Sequence, residues 1–274
     1  MMTVGDAVAG GLIESVPWTE QALLVGAGSA RFAFAFLMLP LFSAQLIPPL
    51  VRNSLIIAFG LVALSLPIRF DPAALGAAQW LWLLGREAAA GVVIGLFYAS
   101  FLWAMASAGE IIDTKTGATI AQIVDPLSGS SQSLNAALLG RFAQVVFVTA
   151  GGLTLLVGSL MMSYAVWPMG PGGVELDLAA VTLFEGEFGR FFMIAFVLAS
   201  PALLVLYMID LGMGLLNRFA QNFNVFVLSL PIKTLAATFI IVLTLPLLAR
   251  MVVDELSSRD AVSRGMLERA GTAR

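Results

Sequence analysis

Five ionisable side chains fall inside or beside long apolar runs: Arg31, Arg141, Asp210, Arg218 and Lys233. Charged groups at membrane depth are rare, usually partnered and commonly functional, so these are the first candidates for chemistry. Asp210 and Arg218 are eight residues apart, roughly two helical turns, and can share a helix face without touching. Arg141 and Asp210 can also be read as side chains that snorkel to the interface. Lys233, between "SLPI" and "TLAATFIIVLTLPLLA", points to a buried contact between helices or between subunits. "NRFAQNFNVF", Asn217 to Phe226, adds amides that need partners when desolvated.

Enzymatic constellations do not assemble from these residues. Asp113 and Asp210 invite an intramembrane aspartyl protease, in which two carboxylates share a proton at close range. The Gly-x-Gly-Asp order of such enzymes is absent, because "DLGMG" puts the acid first. The chain has no His and no Cys, which removes histidine-activated nucleophiles, thiolate or imidazole metal sites and disulfides. "GAGSA" and "DLGMG" lack the lysine of a phosphate loop. The expectation is a non-enzyme without cofactors. A net charge of −3 gives no support to nucleic-acid binding.

The elements that position these groups follow from hydropathy. Of 274 residues 59% are hydrophobic and 11% charged, against roughly 25% charged in soluble domains. Several uncharged runs approach the ~20 residues that cross a bilayer as a helix. They are continuous rather than alternating, which favours helices over a closed barrel. The fold class expected is an all-α integral membrane protein. Spans are expected near 20–39, 51–68, 82–108, 135–167, 189–209 and 211–249, the last folding back near "SLPIK". Gly91 and Gly95 form a small-xxx-small pair that allows close approach of another backbone. Pro201 and Pro246 are expected to kink their helices. Residues 1–250 read as one membrane domain and 251–274 as a short polar tail.

Charge placement gives orientation. Acids alone precede Arg31, the 168–189 connector carries four acids and no base, and the tail holds Arg250, Arg259, Arg264, Arg269 and Arg274. Basic flanks stay cytoplasmic, so the N-terminus is expected outside and the tail inside, with an odd number of crossings. The N-terminus shows no basic region followed by a cleavable apolar core, so no signal peptide is expected.

"GEIIDTKTGATIAQIVDPLSGSSQS", Gly109 to Ser133, is longer than a simple turn needs. Gly109, Gly117 and Gly129 permit unusual backbone angles, Asp125-Pro126 enforces an extended or turn conformation, and "SGSSQS" offers a cap for a helix at Leu134. The mixture fits a compact loop that lines or closes a cavity better than a solvated linker; the alternative is an ordinary amphipathic surface loop.

That stretch, together with "PLFSAQLIPPLVR", Gly151-Gly152, "SYAVWP" and "NVFVLSLPIKTLAA", resembles the SctT family, the YscT/SpaR/HrcT-type export-apparatus proteins of type III secretion, related to flagellar FliR. Gly151-Gly152 and "SYAVWP" favour the injectisome branch. The resemblance implies bent helical hairpins that pack into a helical hetero-oligomeric export gate in the bacterial inner membrane. It implies SctR-like and SctS-like subunits, an SctU-like switch protein and an SctV-like export gate protein as partners, and unfolded secreted proteins as substrates. It also implies a channel plug over Gly109, Glu110, Ile112 and Asp113, then Gly117, Ala118, Ile120 and Ala121, then Ile123, Val124, Asp125 and Pro126. By the same resemblance, Asp210, Arg218, Asn222, Pro231 and Lys233 belong to inter-subunit packing. The rival reading is a stand-alone secondary transporter with Arg31, Asp210 and Lys233 at a midplane site.

Overall fold

A computed structural model of the chain describes residues 18–44, 46–65, 72, 75–117, 134–170, 178–219 and 224–272. Among these the regular structure is helical. In chain order the helices are α1 (Trp18–Met38), α2 (Pro49–Leu64), α3 (Ala77–Thr116), α4 (Leu134–Thr149), α5 (Gly152–Val166), α6 (Leu178–Phe219) and α7 (Val225–Thr272), with one 3-10 turn at Pro40–Phe42.

Local chemistry explains most of the boundaries. Leu39 is extended because Pro40 follows it, and α2 opens with Pro49 at its first position, where the missing N–H costs nothing. Gly117 and Gly151 take φ of 83° and 84°, the left-handed conformation that ends a helix without steric penalty. At Gly151 the apolar run expected as one span, 135–167, breaks into α4 and α5, bent by 67°. Asn224 starts α7, its side-chain oxygen accepting the Val227 amide at 3.3 Å.

Three expected boundaries are corrected. The third helix runs through Thr116 rather than stopping at 108, so Gly109, Glu110, Ile112 and Asp113 are helical and not loop. The expected fold-back near "SLPIK" is not there: Ser229 to Lys233 lie inside α7, which continues through Pro231, Pro246 and Arg250. The long helix before it runs unbroken from Leu178 to Phe219, across the gap expected at residue 210. At Pro201 the carbonyl of Val197, which has no amide to receive, accepts the Ser200 hydroxyl at 2.8 Å, the kind of re-satisfaction that lets proline persist in a membrane helix.

Four helices are long and apolar enough to cross a membrane, and five if α4 and α5 together make one bent span. The 16-residue α2 falls short of that length. α3, with 40 residues, is about 60 Å long, twice the roughly 30 Å of a hydrocarbon core. Helices of this length extend beyond a bilayer they cross at ordinary tilt.

The chain divides into two compact units: Met1–Ala99, Gly152–Ala180 and Arg259–Arg274 form the first, and Ser100–Gly151 with Val181–Ser258 the second. In the first, α1 packs on α2 through Phe32 stacked on Phe59 at 5.5 Å, and on the 3-10 turn through Phe36 stacked on Phe42 at 4.0 Å. The two backbones close up at Gly28 and Gly60, where a Cβ on Gly28 would lie 2.9 Å from the Gly60 carbonyl oxygen. In the second, Phe101, Leu102, Met105, Leu139, Ala143, Phe147, Ala199, Leu206 and Ile241 are buried.

Candidate functional site

In the first unit the sequence builds a buried ionic core. A Cβ at Gly91 would collide with the Arg31 carbonyl, and one at Gly95 would lie 2.7 Å from Ala35. These two contacts, one turn apart on each helix, press α3 against α1. Glu87 is one further turn back on the glycine face of α3, and so it meets Arg31. Both side chains are fully buried and 2.8 Å apart. Arg31 also donates to the Ser163 hydroxyl at 2.7 Å and to the Trp167 carbonyl at 3.1 Å. Its guanidinium stacks 3.8 Å above the Tyr164 ring, and the Tyr164 hydroxyl donates to the Gly28 carbonyl at 3.2 Å. Arg86 reaches the other Glu87 oxygen at 3.5 Å and donates to the Pro168 carbonyl. "SYAVWP" is therefore the wall of this core: its hydroxyl, ring and two carbonyls dress two arginines that share one carboxylate. Such dressing is what makes a buried ion pair tolerable.

The second unit holds two further polar constellations, both at the end of α3. Asp113, almost wholly buried, accepts the backbone amides of Asn135 and Ala136 at 2.9 and 3.1 Å and the Asn135 side-chain amide at 2.6 Å. An acid on one helix thus caps the N-terminus of another, α4, where orphan amides and the helix dipole both favour a carboxylate. Just before it, Gly109 gives room: a Cβ there would strike the Ala136 backbone. Gly109 serves close helix packing, not the loop freedom expected of it. The second constellation joins three helices. Asp210 on α6 pairs with Lys115 of α3 at 2.8 Å and, through its other oxygen, with Lys233 of α7. Lys115 also lies 4.1 Å from the Tyr207 ring centroid.

Of the five charged candidates, the structure brings Asp210 and Lys233 together and gives Arg31 a separate set of partners. Arg141 is exposed and donates to the side-chain oxygen of Gln144 at 3.4 Å. Arg218 and Pro231 are exposed. Asn222 and the plug positions Ala118, Ile120, Ala121, Ile123, Val124, Asp125 and Pro126 lie outside the described residues. Sequence reasoning missed Glu87, Arg86 and Lys115. Glu87 was marked by its spacing, four and eight residues before the glycine pair. The two aspartates for which a protease reading was set aside have different work: Asp113 holds amides and Asp210 holds lysines.

Residues 23–258 match the family of bacterial export proteins, family 1. The chain belongs to that family. Among its relatives, SpaR, the surface presentation of antigens protein of Salmonella typhimurium, is 35% identical over 217 residues, covering 79% of this chain and 80% of the relative. Yop proteins translocation protein T of Yersinia pestis is 31% identical over 214 residues, 78% of this chain and 82% of its own length. The flagellar biosynthetic protein FliR of Bacillus subtilis is 24% identical over 252 residues, 89% and 94% of the two chains. This is a YscT/SpaR-type, FliR-related export protein, with the apolar helices of a multi-pass membrane protein. All three polar constellations fall within the matched residues.

Proposed function

We propose that the chain is a component of the inner-membrane export gate of a type III protein secretion system, and that the segment after α3 plugs the channel. The observation that carries the reading is the clamp at both ends of that segment. The chain leaves α3 at Gly117 and re-enters helix at Leu134, and Asp113 bonds to Asn135 and Ala136 across the opening. A stopper needs rigid stems and a body that can be pushed aside. The sequence of the body, "ATIAQIVDPLSGSSQS", is apolar and small-residue-rich at first and hydroxylated after.

In this reading Ile120, Ala121, Ile123 and Val124 exclude water and ions from the lumen at rest. An unfolded substrate arriving from the cytoplasm displaces them. A closed state held by few strong contacts is only modestly favoured, so a small differential interaction with substrate suffices to open it. SctR-like, SctS-like, SctU-like and SctV-like proteins are the proposed partners, by analogy with the apparatus to which the named relatives belong. Exposed apolar side chains on α6 and α7, including Leu211, Leu215, Leu235 and Phe239, support burial against such subunits or lipid. Asp210, Arg218, Asn222, Pro231 and Lys233 are proposed to lie at those contacts. The N-terminus is placed outside and the arginine-rich end in the cytoplasm, which five crossings would satisfy.

The transporter alternative requires Arg31, Asp210 and Lys233 around one substrate. Arg31 instead has Glu87, Ser163 and Trp167, while Asp210 and Lys233 have each other and Lys115.

Deleting Gly117 to Val124 in the assembled complex is the test. Ion leakage across the inner membrane is expected to rise several-fold while recovery of the complex is unchanged. An assembled complex that does not leak would refute the plug.

A further inference from the structure

We propose that the outer face of α4 is a docking surface for a helix of a partner subunit, and that this helix carries a carboxylate opposite Arg141. The proposal rests on the reading of the chain as a component of a multi-subunit export gate and is independent of the plug.

The two faces of α4 have different fates. One is spent inside the second unit, where Ala136, Leu139, Ala143 and Phe147 are buried. A Cβ on Gly140 would touch the Ala106 side chain of α3 at 3.4 Å, and the Phe147 ring lies 5.8 Å from that of Phe101. Asp113 holds the first amides of the helix. These contacts fix α4 in rotation, and with it what the helix turns outward. Leu134, Leu138, Arg141, Val145 and Val148 are exposed. Steps of four, three, four and three residues place them in one stripe along the helix. It is the pattern of the seam by which one helix packs lengthwise on another.

Arg141 is the one charged residue of α4 and stands at the middle of its 16 residues. Its guanidinium donates to the Gln144 side-chain oxygen at 3.4 Å, a neutral group that does not cancel its charge. Either end of the helix is about 10–12 Å away along the axis. That is farther than an arginine side chain extends, so Arg141 cannot snorkel past the flanking leucines and valines to lipid headgroups. A cation facing hydrocarbon in mid-stripe would be costly. A cation facing a protein helix can be met by an acid, whose two oxygens the guanidinium fork grips together. Apolar contacts on both sides then shield the pair from water. A helix without an acid at that level would leave the arginine buried and unpaired, which is strongly unfavourable. Arg141 thereby selects which helix docks and in what register.

The test uses the assembled complex, recovered by affinity purification on this chain. Arg141→Glu sets two acids against each other and is expected to lower the recovered partner subunits at least fivefold. The thermal midpoint of the detergent-extracted chain should stay within about 2 °C of wild type, because position 141 is exposed in it. Arg141→Leu leaves the partner's acid unpaired and is expected to lower recovery at least threefold, and Arg141→Lys less than twofold. A lipid-facing stripe predicts the reverse for Arg141→Leu: partners recovered as in wild type or better, which would overturn the proposal. The acid is located in the Arg141→Lys complex with a carbodiimide, which joins an amine to a carboxylate without a spacer. The chain has two other lysines, Lys115 and Lys233, so the products are few. An amide bond from position 141 to an Asp or Glu of another subunit is expected; a bond to this chain's own acids, or none, overturns the proposal. Should Arg141→Glu lower the chain's own midpoint, the carbodiimide product decides alone. A wild-type preparation without partner subunits would instead overturn the gate reading, whereas partners present equally in wild type and Arg141→Glu overturn the docking surface and leave the gate standing.

Discussion

Glu87→Ala is expected to remove most of the folded protein from a detergent extract. Glu87 is the acid that pairs with the buried Arg31, and it also reaches Arg86. Its loss removes the carboxylate that Arg31 and Arg86 share, and leaves the buried Arg31 guanidinium facing the neutral oxygens of Ser163 and Trp167. Breaking a buried pair by removing one partner costs about 3–5 kcal/mol, enough to lower a thermal midpoint by on the order of 10 °C in a chain of this size. Glu87→Gln, which keeps one carbonyl acceptor, is expected to fall between wild type and Glu87→Ala. The double variant Arg31→Leu with Glu87→Leu should cost less than the sum of its parts, because the two side chains are in direct contact and the double change leaves one fewer guanidinium without the Glu87 carboxylate than Glu87→Leu alone. Thermal unfolding and size-exclusion recovery read these variants and the two leucine single changes. A Glu87→Ala midpoint within about 2 °C of wild type would mean that the ion pair carries no structural weight.

Gly91→Val is the second large effect expected. The added Cβ would meet the backbone carbonyl of Arg31, which cannot rotate away as a side-chain tip could. α1 and α3 must separate, and the separation stretches the Arg31–Glu87 contact one turn along the same face. Overpacking of this kind costs about 1–3 kcal/mol, with weakening of the ion pair added. Gly85→Ala, on the same helix, is the control: a Cβ there meets nothing within 4 Å. It should be neutral or stabilising by about 1 kcal/mol through helix propensity. Equal losses from the two variants, measured as thermal midpoints, would show that close helix approach at Gly91 is irrelevant.

Helical class, the glycine pair and the importance of Arg31 were legible because each is a local pattern. An arginine in an apolar run announces a need for partners, and two glycines one turn apart announce a close neighbour. Where helices end was harder to read. α3 was expected to stop where the apolar run meets Glu110, but hydropathy marks what a surface faces and not where the backbone turns. After Gly109, which the helix carries through, "EIIDTKT" has no glycine or proline to break it before Gly117. The reverse error occurred at "SLPIK". Pro231 looks like a turn, yet it lies early in a helix that Asn224 starts. Lys115 was overlooked because it was counted with a connector, whereas a lysine in the last turn of a helix is well placed to complement the dipole. Glu87 follows another charged residue, Arg86, so no isolated charge in an apolar run marks it. Neighbours in sequence point to different sides of a helix, and only its spacing from Gly91 shows which side matters.

The most direct measurement places the body of the segment after α3 in the working assembly. The chain has no cysteine, so Ala121→Cys introduces a unique thiol without background. In an export complex holding a stalled, cysteine-bearing substrate, that thiol is expected to form a disulfide with the substrate, and to be protected from soluble thiol reagents when no substrate is present. A thiol that never links to a stalled substrate, and reacts freely with soluble reagent whether or not one is present, would place the segment outside the conduit and contradict the account.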